Sequence, residues 1–466
     1  MSAEAQNFLA TFVTETYYYW ASVFMLVIHV GFLAYEGGAA RTKNVLSTMV
    51  KNLLTLAVVG LSFFYVGWWV YAGFSLWPLG PLVGPWTSEL PETVGELSTE
   101  GLLGFVQTTY PWSEAMGPNV ADNITGVFFF AFSLFAMTTA SIMSGAVIER
   151  IRLGAYLILA TLLGSFCWVV AAAWGWNYWG WFNLIGYHDF GCSAVVHGVS
   201  GFFALGVLIN LGPRIGRYDE QGKPRGIPPH NLPLTMVGLL LIFVGFYAFL
   251  AACVIFAPGY TSETTIYGTP ATLSSIAVNT TLALCSGLVG AYIGSKGDPF
   301  FTISGGLAGI ISVGAGLDLY APQLVIPIAF IGALTMPWVG MWIEKIGIDD
   351  AVGAFAVHGY CGLFGAMAVG VMATGYQIGN YPGISFFGQL LGAFLSTVVL
   401  GLIPGYLASL GLKKLGLLRV PVEEEMEGLD LGDFGITGYP EYSLIATEEV
   451  EEMSFESSSM SSQQKS

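Results

Sequence analysis

Two stretches of this chain, DFGCSAVVHGVSGFF at residues 189–203 and DAVGAFAVHGYCGLF at residues 350–364, repeat one pattern. Aligned without a gap, each copy begins with Asp, reaches Val-His-Gly seven residues later, and continues with a Gly and a Phe at matching positions. The remaining residues of both copies are mostly small and apolar. The repetition predicts two structurally equivalent helices. Their paired polar positions are Asp189 with Asp350 and His197 with His358.

Each copy is predicted to be a helix that starts at its Asp. A carboxylate there accepts backbone N–H groups that have no partner within the helix, and it faces the positive end of the helix dipole. At about 1.5 Å per residue, the His lies about 12 Å further along the axis, within an otherwise apolar segment. We therefore interpret Asp189 and Asp350 as helix caps and the two histidines as intramembrane side chains.

Composition indicates an integral membrane protein. Hydrophobic residues make up 54% of the 466 residues, charged residues make up 10%, and the mean hydropathy is +0.67. A helical span needs about 20 apolar residues, and in lipid a helix satisfies its own backbone hydrogen bonds. We predict an all-α polytopic membrane protein.

Eleven apolar stretches are long enough to cross a bilayer. We predict a membrane domain over residues 1–414, followed by an acidic tail over residues 415–466. No Lys or Arg precedes the first stretch, and we expect no signal peptide there. The predicted spans are about 17–37, 50–76, 123–146, 153–175, 192–212, 233–257, 269–294, 299–317, 322–343, 351–374 and 385–412.

All fifteen Lys and Arg residues fall on the same side of these spans. By the positive-inside rule that side is cytoplasmic, which predicts an external N-terminus and a cytoplasmic C-terminus in a plasma or inner membrane. The loops on the opposite side carry acidic residues only, as at residues 89–100.

The two copies begin the fifth and tenth predicted spans, which are five helices apart. Because an odd offset inverts the second half, the two helices enter the membrane from opposite faces and their histidines meet near the middle of a core about 30 Å thick. We predict a five-helix inverted repeat, over 17–212 and 233–374, plus an extra helix at 385–412. This arrangement is typical of transporters and channels.

Other roles for an intramembrane histidine stay open at this point. A single His can serve as an interhelical hydrogen-bonding group. A metal site is a second alternative, although the five histidines and five cysteines show no metal-ligand spacing. We expect no metal, no cofactor, no nucleic-acid partner and no enzymatic activity, since no nucleophile, carboxylate pair or cofactor motif accompanies the histidines.

A family resemblance rests on several separate motifs that cover nearly the full length. Together with the repeated pattern, the chain resembles the ammonium transporter family (Amt/Mep, relatives of the Rh proteins) in GFLAYEGGAARTKN at 31–44, GAVIERIR at 145–152, PPHNLPLT at 228–235 and EGLDLGDFGITGYPEYS at 427–443. The resemblance implies a homotrimer in the cell membrane with one narrow hydrophobic pore per subunit. Its solutes would be ammonium or ammonia and also methylammonium.

The resemblance also implies roles for particular residues. His197 and His358 match the family's pore-lining histidine pair, and Asp189 matches its buried carboxylate near the outer recruitment site. Phe135 and Phe249 match two stacked phenylalanines that close the pore from outside.

The predicted outer recruitment site departs from the family pattern. Trp176 matches the vestibule tryptophan, but the family's Phe and Gln before the first gate residue are Ala131 and Phe132 here. After the second gate residue the family's Asn and Ser are Leu250 and Cys253. One aromatic wall and one hydroxyl are therefore expected to be missing.

These residue types suit ammonium as a solute. The face of Trp attracts a cation by about 0.5–2 kcal/mol, whereas an apolar constriction makes passage of a bare cation costly. Ammonium can give up a proton and cross as ammonia, but potassium cannot shed its charge. Two neutral imidazoles offer the solute both a donor and an acceptor.

Residues 421–466 hold twelve Asp and Glu against one basic residue. We interpret residues 444–466 as a solvated, disordered segment. Residues 423–443 resemble the family's cytoplasmic tail, which docks on inner loops and can respond to a nitrogen-regulatory protein. Arg214, Arg217, Lys223 and Arg225 are predicted to receive its acids. The predicted regulatory positions are Glu427, Asp430, Asp433 and Tyr439.

The leading hypothesis is an ammonium transporter or channel with a twin-histidine pore. The first alternative is an ammonium sensor or transceptor on the same scaffold, with little or no transport. A membrane-embedded enzyme is the third hypothesis.

Overall fold

A computed structural model describes residues 2–80, 82, 93–94, 97–98, 125–177, 179–254, 271–378 and 381–441. Helices dominate these ranges. The strands Thr93–Val94 and Leu97–Ser98 pair as a short antiparallel hairpin. The predicted disordered segment 444–466 lies outside the described residues.

The all-helical membrane architecture is confirmed. Within the described ranges, ten helices are long and apolar enough to cross a membrane, and a shorter apolar helix lies between the seventh and the last three. The resulting eleven spans are Phe8–Ala39, Thr42–Gly73, Gly126–Ala146, Leu153–Gly175, Ser193–Leu211, Leu232–Ala252, Leu273–Gly294, Pro299–Gly314, Pro322–Lys345, Phe355–Met372 and Phe386–Lys414.

The first two spans differ from their predicted bounds. The first helix is already formed at Ala3, well before the predicted start at residue 17. Lys51 stands at the predicted start of the second span, but the observed span begins at Thr42, so Lys51 lies well inside it and is only 4% exposed. Its Nζ donates to Ser144 O at 2.7 Å and lies 3.8 Å from Glu36 Oε2. A lysine can be buried in this way because its charge meets a carboxylate, which the sequence alone does not reveal.

The repeated glycines explain how the fifth and tenth spans approach each other. Gly201 and Gly362 occupy the same position in the two copies, three residues after Val-His-Gly. A Cβ at Gly201 would lie 2.2 Å from Gly359 N, and a Cβ at Gly362 would lie 2.3 Å from Ser193 O. Side chains of any size would therefore push the two helices apart, and small residues are the usual means of close helix contact in membranes.

The first and sixth spans, which are equivalent helices of the two halves, cross equally closely. A Cβ at Gly238 would lie 2.2 Å from Tyr35 N, and a Cβ at Gly31 would lie 2.6 Å from Gly238 O. The same device thus recurs at a second pair of repeat-related helices, as an inverted repeat requires.

One face of the membrane domain gathers the basic loops, and we call it the basic face. Arg41, Arg150, Arg214, Arg217 and Arg419 all contact acidic side chains or carbonyls there. Two short tail helices, Val422–Glu427 and Leu429–Phe434, lie against the same face.

Candidate functional site

The two repeated histidines touch at the centre of the molecule. His197 Nδ1 and His358 Nδ1 lie 2.9 Å apart, with ring centroids 5.0 Å apart. His197 is 0% exposed and His358 is 6% exposed. One Nδ1 must carry the shared proton and the other must accept it, because a neutral imidazole has one donor and one acceptor nitrogen. His197 Nε2 has no hydrogen-bond partner within the described part of the chain.

Both histidines lie in π-helical turns, Ser193–Gly198 and Phe355–Tyr360. Such turns are rare and are frequently found at functional sites, since the extra residue per turn re-aims a side chain. Neither turn follows directly from the sequence, in which both segments look like ordinary apolar helix. The π-helical geometry is one of the features that sequence reasoning missed.

Asp189 and Asp350 both bind helix N-termini, as the sequence predicted, but from a loop before the helix. Asp189 Oδ1 accepts from the amides of Cys192 and Ser193 at 3.0 and 2.8 Å, and Oδ2 accepts from Ala194 and Val195 at 2.7 and 2.9 Å. The fifth helix begins at Ser193, so His197 stands in its second turn and not eight residues into the helix.

Asp350 binds its own helix with fewer bonds. Its Oδ1 accepts from Ala354 N at 2.9 Å and its Oδ2 accepts from Phe355 N at 2.7 Å. Both copies of the pattern therefore cap a helix with a carboxylate, which binds four backbone amides at Asp189 and two at Asp350.

Two phenylalanines stand next to the histidines, away from the basic face. Phe135 and Phe249 have ring centroids 4.3 Å apart at an interplanar angle of 69°. The predicted pair is thus in contact, but it packs edge to face and is not stacked. Phe249 also neighbours the His197 ring at 6.3 Å, and Phe246 stacks on that ring at 5.6 Å.

Trp176 lies beyond the phenylalanine pair, as the resemblance implies. Its ring is edge-on to Phe135 at 5.2 Å, and its Nε1 donates to Asp189 O at 2.6 Å. That bond joins the tryptophan directly to the loop that carries the capping carboxylate. Phe135, Trp176 and Asp189 are therefore linked at the end of the histidine pair that lies away from the basic face.

Phe132, next to Ala131 in the chain, places its ring beside Trp176. Ala131 is 1% exposed and packs in the core, whereas the Phe132 ring lies 6.3 Å from Trp176 and 6.0 Å from Phe135. The sequence shows Phe132 only as a departure from the family pattern, and its contact with Trp176 is visible in the structure alone.

The Cys253 thiol is not chemically equivalent to the hydroxyl of the Ser that the family has at this position. It is half-buried, and its Sγ donates weakly to Phe249 O at 3.4 Å within its own helix. A thiol is a poorer hydrogen-bonding group than a hydroxyl. The departure predicted at this position is therefore a real difference in chemistry.

A buried ionic cluster lies on the basic face, beneath the tenth helix. Asp349 accepts from Arg214 Nε and Nη2 at 2.8 and 2.9 Å and from Arg217 Nε at 3.1 Å. Burial raises the pKa of Asp349, but the charges of Arg150 and Arg214 outweigh it and hold that pKa well below its usual range. At Glu149 burial likewise opposes Arg214 and Arg41, and the net result is a lowered pKa. Asp349 was not singled out from the sequence, although it directly precedes Asp350.

The tail docks on this face, but through different partners from those predicted. Arg214 and Arg217 bind Asp349, so they are already paired within the membrane domain. The tail carboxylate Glu425 instead accepts from Ile215 N at 2.7 Å, and within the tail it binds Arg419 at 2.7 Å. The expectation that the loop arginines receive the tail acids is therefore wrong for these two side chains.

The four predicted regulatory residues of the tail differ in their contacts with the membrane domain. Asp430 accepts from the amides of Leu46 and Ser47 at 3.0 and 2.8 Å, near the start of the second span. Asp433 accepts from Ser47 Oγ at 2.6 Å. Tyr439 Oη lies 2.9 Å from His230 Nε2. Glu427 is exposed.

A family model and individual relatives both show that this chain is similar to ammonium transporters. The family model described as Ammonium Transporter Family matches residues 16–439. Ammonium transporter Amt2 of Methanocaldococcus jannaschii is 31% identical over 431 residues, covering 91% of this chain and 90% of that protein. Ammonium transporter Amt2 of Archaeoglobus fulgidus is 30% identical over 453 residues, covering 91% of this chain and 87% of that protein.

Solved structures with a similar fold are also known. A structure titled Sensor Amt Protein superimposes with a TM-score of 0.73 and 25% identity, covering 91% of this chain and 99% of that chain. Mep2 of Candida albicans superimposes with a TM-score of 0.69 and 22% identity, covering 92% of this chain and 90% of that chain, and this likeness concerns the fold.

Proposed function

Since this chain belongs to the ammonium transporter family, we propose that it passes ammonium across a membrane as ammonia, through a pore lined by His197 and His358. It is a multi-pass membrane protein of a family of transporters, not of enzymes. The observation that carries the proposal is the buried Nδ1 to Nδ1 contact at 2.9 Å, beside a His197 Nε2 with no partner among the described residues. A buried imidazole nitrogen without a partner is costly for a purely structural histidine, whereas in a pore it is available to a solute.

Recruitment takes place on the aromatic side of the histidines. Trp176 and Phe132 offer ring faces and edges to a cation without any charged side chain, a contact worth about 0.5–2 kcal/mol. The Asp189 carboxylate is engaged by four amides, so it holds the loop and adds a negative field without binding the solute itself. Ala131 and Cys253 lie at the edge of this site, but they contribute neither a ring nor a hydroxyl to it.

Ammonium transfers one proton to water on the aromatic side, before the phenylalanine pair. Phe135 and Phe249 present an apolar constriction in which a bare cation is costly, whereas neutral ammonia is not penalised for charge. Beyond it, the imidazole pair gives ammonia both a donor and an acceptor. The route discriminates against potassium, because a metal ion cannot lose its charge.

Assembly and orientation follow from the family resemblance and the charge distribution. We infer that the basic face is cytoplasmic, with the N-terminus outside, and that the subunits form a homotrimer. Residues 1–414 form the transport domain and residues 415–466 the cytoplasmic tail. The docked part of the tail is a surface on which a nitrogen-regulatory protein can act.

A second candidate function is ammonium sensing with little or no transport. Two observations favour it, namely the similarity to a structure titled Sensor Amt Protein and the altered residues Ala131, Leu250 and Cys253 at the outer site. Such a protein would bind ammonium and report it through its tail.

Vesicle transport separates the two candidates. The purified protein in proteoliposomes should show sustained ammonium flux, lower flux of methylammonium and no potassium flux, and His358→Ala should alter the ammonium-to-potassium ratio. Ammonium binding by calorimetry in the absence of any flux would favour the sensor. Equal potassium and ammonium flux in the wild-type protein would rule out the proposed selectivity.

A further inference from the structure

A histidine and a buried aspartate form an ion pair at the end of the membrane domain that lies away from the basic face. His188 directly precedes Asp189, and Asp318 lies in the loop between the helix Pro299–Gly314 and the helix that begins at Pro322. His188 Nε2 lies 3.1 Å from both carboxylate oxygens of Asp318. The Asp318 side chain is 0% exposed, whereas that of His188 is 15% exposed. Protons from the solvent on that side can therefore reach the imidazole.

The loop that carries His188 is also the loop that holds Trp176. Trp176 Nε1 donates to Asp189 O at 2.6 Å, one residue after the histidine. Gly191 N, in the same loop, donates to Gly314 O at 2.9 Å, just before the loop of Asp318. The pair of His188 and Asp318 thus joins two loops, one of which positions the tryptophan of the aromatic side.

The counter-charge of Asp318 differs in kind from that of the buried carboxylate on the basic face. Asp349 forms ion pairs with arginines, which stay charged at any physiological pH. Within the described part of the chain, the ion pair of Asp318 is with His188 alone. A histidine ordinarily has a pKa of about 6.5, so it can lose its charge in the physiological range. With the carboxylate ionised, the pair is neutral while the imidazole is protonated and carries one negative charge once it is not.

Loss of the proton does not break the contact between the two loops. A neutral imidazole keeps one N–H group, and a tautomer with that hydrogen on Nε2 still donates to Asp318. The two states of the pair therefore differ in charge, whereas the connection between the loops is kept in both.

The charge of Asp318 reaches the aromatic side. Burial raises the pKa of the Cys253 thiol, and the negative charges of Asp189 and Asp318 raise it further. Cys253 directly follows the sixth span and lies four residues beyond Phe249 in the chain. A charge that acts on this thiol also acts on a cation recruited beside it.

Other titratable side chains around the pair, in the part of the chain that the structure describes, are Tyr187, Asp189, Cys253 and Tyr320. Burial raises the pKa values of the two tyrosines and of the thiol, so these groups keep their protons near neutral pH. At Asp189 burial raises the pKa against four backbone amides that lower it, and the net result is a raised pKa. A pH dependence that belongs to Asp189 would persist when His188 is replaced.

We propose that His188 and Asp318 form a positioning pair that sets how strongly ammonium is recruited on the aromatic side. The deprotonated pair attracts the cation through the charge of Asp318, and a proton taken up by His188 from the solvent cancels that charge. The identity of the solute and the place of recruitment rest on the proposed function. Ammonium binding should therefore weaken on acidification, although ammonium itself stays protonated.

Calorimetric titration of the full-length protein with ammonium chloride at constant ionic strength, at about pH 5.5 and about pH 7.5, tests the pair. The wild-type dissociation constant should be about threefold to tenfold higher at the acidic pH, the scale of one unit charge acting through partly solvated protein. His188→Gln keeps an N–H donor for Asp318 but does not titrate, so it should bind at both pH values as the wild-type protein does near neutrality. Asp318→Asn removes the charge, so it should bind weakly at both.

His230→Gln is the matched control, because His230 is a loop histidine on the basic face that contacts Ala40 O at 2.8 Å. Its replacement should leave the pH dependence of binding as it is in the wild-type protein. Wild-type pH dependence in His188→Gln would overturn the inference and assign the titration to another group, such as Asp189. Weak binding by His188→Gln at both pH values would overturn it as well, since loop geometry and not charge would then be decisive. If Asp318→Asn does not fold, His188→Gln decides alone.

The proposed function is tested independently by vesicle flux. If the wild-type protein binds ammonium with the expected pH dependence, and His188→Gln removes it, but no flux is seen, the pair stands and transport fails. If flux depends on His358 while His188→Gln binds with unaltered pH dependence, transport stands and the pair is wrong.

Discussion

The two approaches to the histidine pair differ in chemistry although they begin with the same repeated pattern. On the Asp189 side the neighbours are rings, with Phe135 and Trp176 5.2 Å apart. On the Asp350 side they are polar, with Glu36 and Ser304 beside His358. The repeat therefore sets how two helices cross, whereas helices outside the pattern set what a solute meets on each side. A structurally symmetric pair of helices can thus serve a pore with unlike ends.

The two caps offer the sharpest test of this asymmetry and the largest expected effect. In Asp189→Asn, one amide nitrogen would face two backbone donors, whereas in Asp350→Asn it would face one. At about 1–3 kcal/mol per unsatisfied donor, we expect Asp189→Asn to cost about 2–6 kcal/mol and Asp350→Asn about half of that. Denaturation of the detergent-solubilised variants measures the difference. Equal losses would mean that the number of amide bonds does not distinguish the two ends.

Replacement of either histidine should change transport more than stability. His197→Ala or His358→Ala leaves the other imidazole without its partner and removes hydrogen-bonding groups from the solute path, an effect of about 1–3 kcal/mol, or about fivefold to 150-fold in flux or selectivity. Proteoliposome flux of ammonium against potassium provides the measurement, with size-exclusion chromatography as the check on assembly. Variants that merely unfold, and regain function on repacking, would show that the histidines are structural.

The aromatic side can be tested at Phe132. Phe132→Leu removes a ring beside Trp176, so ammonium binding should weaken by about 0.5–2 kcal/mol. Phe130→Leu is the matched control, because Phe130 is on the same helix but packs against Tyr19. Calorimetric titration compares the two. If both variants bind alike, the ring at Phe132 has no part in recruitment.

Restoring the family's residue at the neighbouring position should not help by itself. Ala131 is 1% exposed, so Ala131→Phe would overpack the core at a cost of about 1–3 kcal/mol. The hydroxyl is a different matter, since Cys253→Ser adds a stronger hydrogen-bonding group in nearly the same volume. The combination of both changes should therefore raise ammonium affinity by no more than about 1 kcal/mol, and only if the protein stays folded.

The smallest effect is expected from the tail, which contacts the polar side alone. Removal of residues 421–466 takes away the bonds from Asp430 to the start of the second span, the helix that carries Lys51 and Asn52. Assembly should persist, because the spans bury the apolar surface, while flux should change within about tenfold, the range of a coupling free energy near 1 kcal/mol. Flux in vesicles, binding by calorimetry and any cellular output are compared for the two proteins. Identical values in all three would leave the tail without a regulatory role.

Much of the fold could be predicted from the sequence, because apolar length and charge placement act locally. The eleven spans and the close approach of His197 to His358 both follow from hydropathy and an odd repeat offset. The ends of the first two spans could not be predicted, since burial of Lys51 depends on Glu36 in another helix. The contact of Phe132 with Trp176 could not be predicted for a similar reason, because a position in a motif does not say where a ring packs.

The sequence by itself determined the membrane class, the inverted repeat and the identity of the groups at its centre, because periodicity, composition and a repeated Asp, His and Gly are one-dimensional properties. Only the tertiary structure decided the π-helical turns, the edge-to-face ring pair and a cavity lined by Glu36 and His358. Each of these depends on distances between helices far apart in the chain. Such distances are set by close packing at small residues such as Gly201 and Gly362, a steric property that no single segment carries.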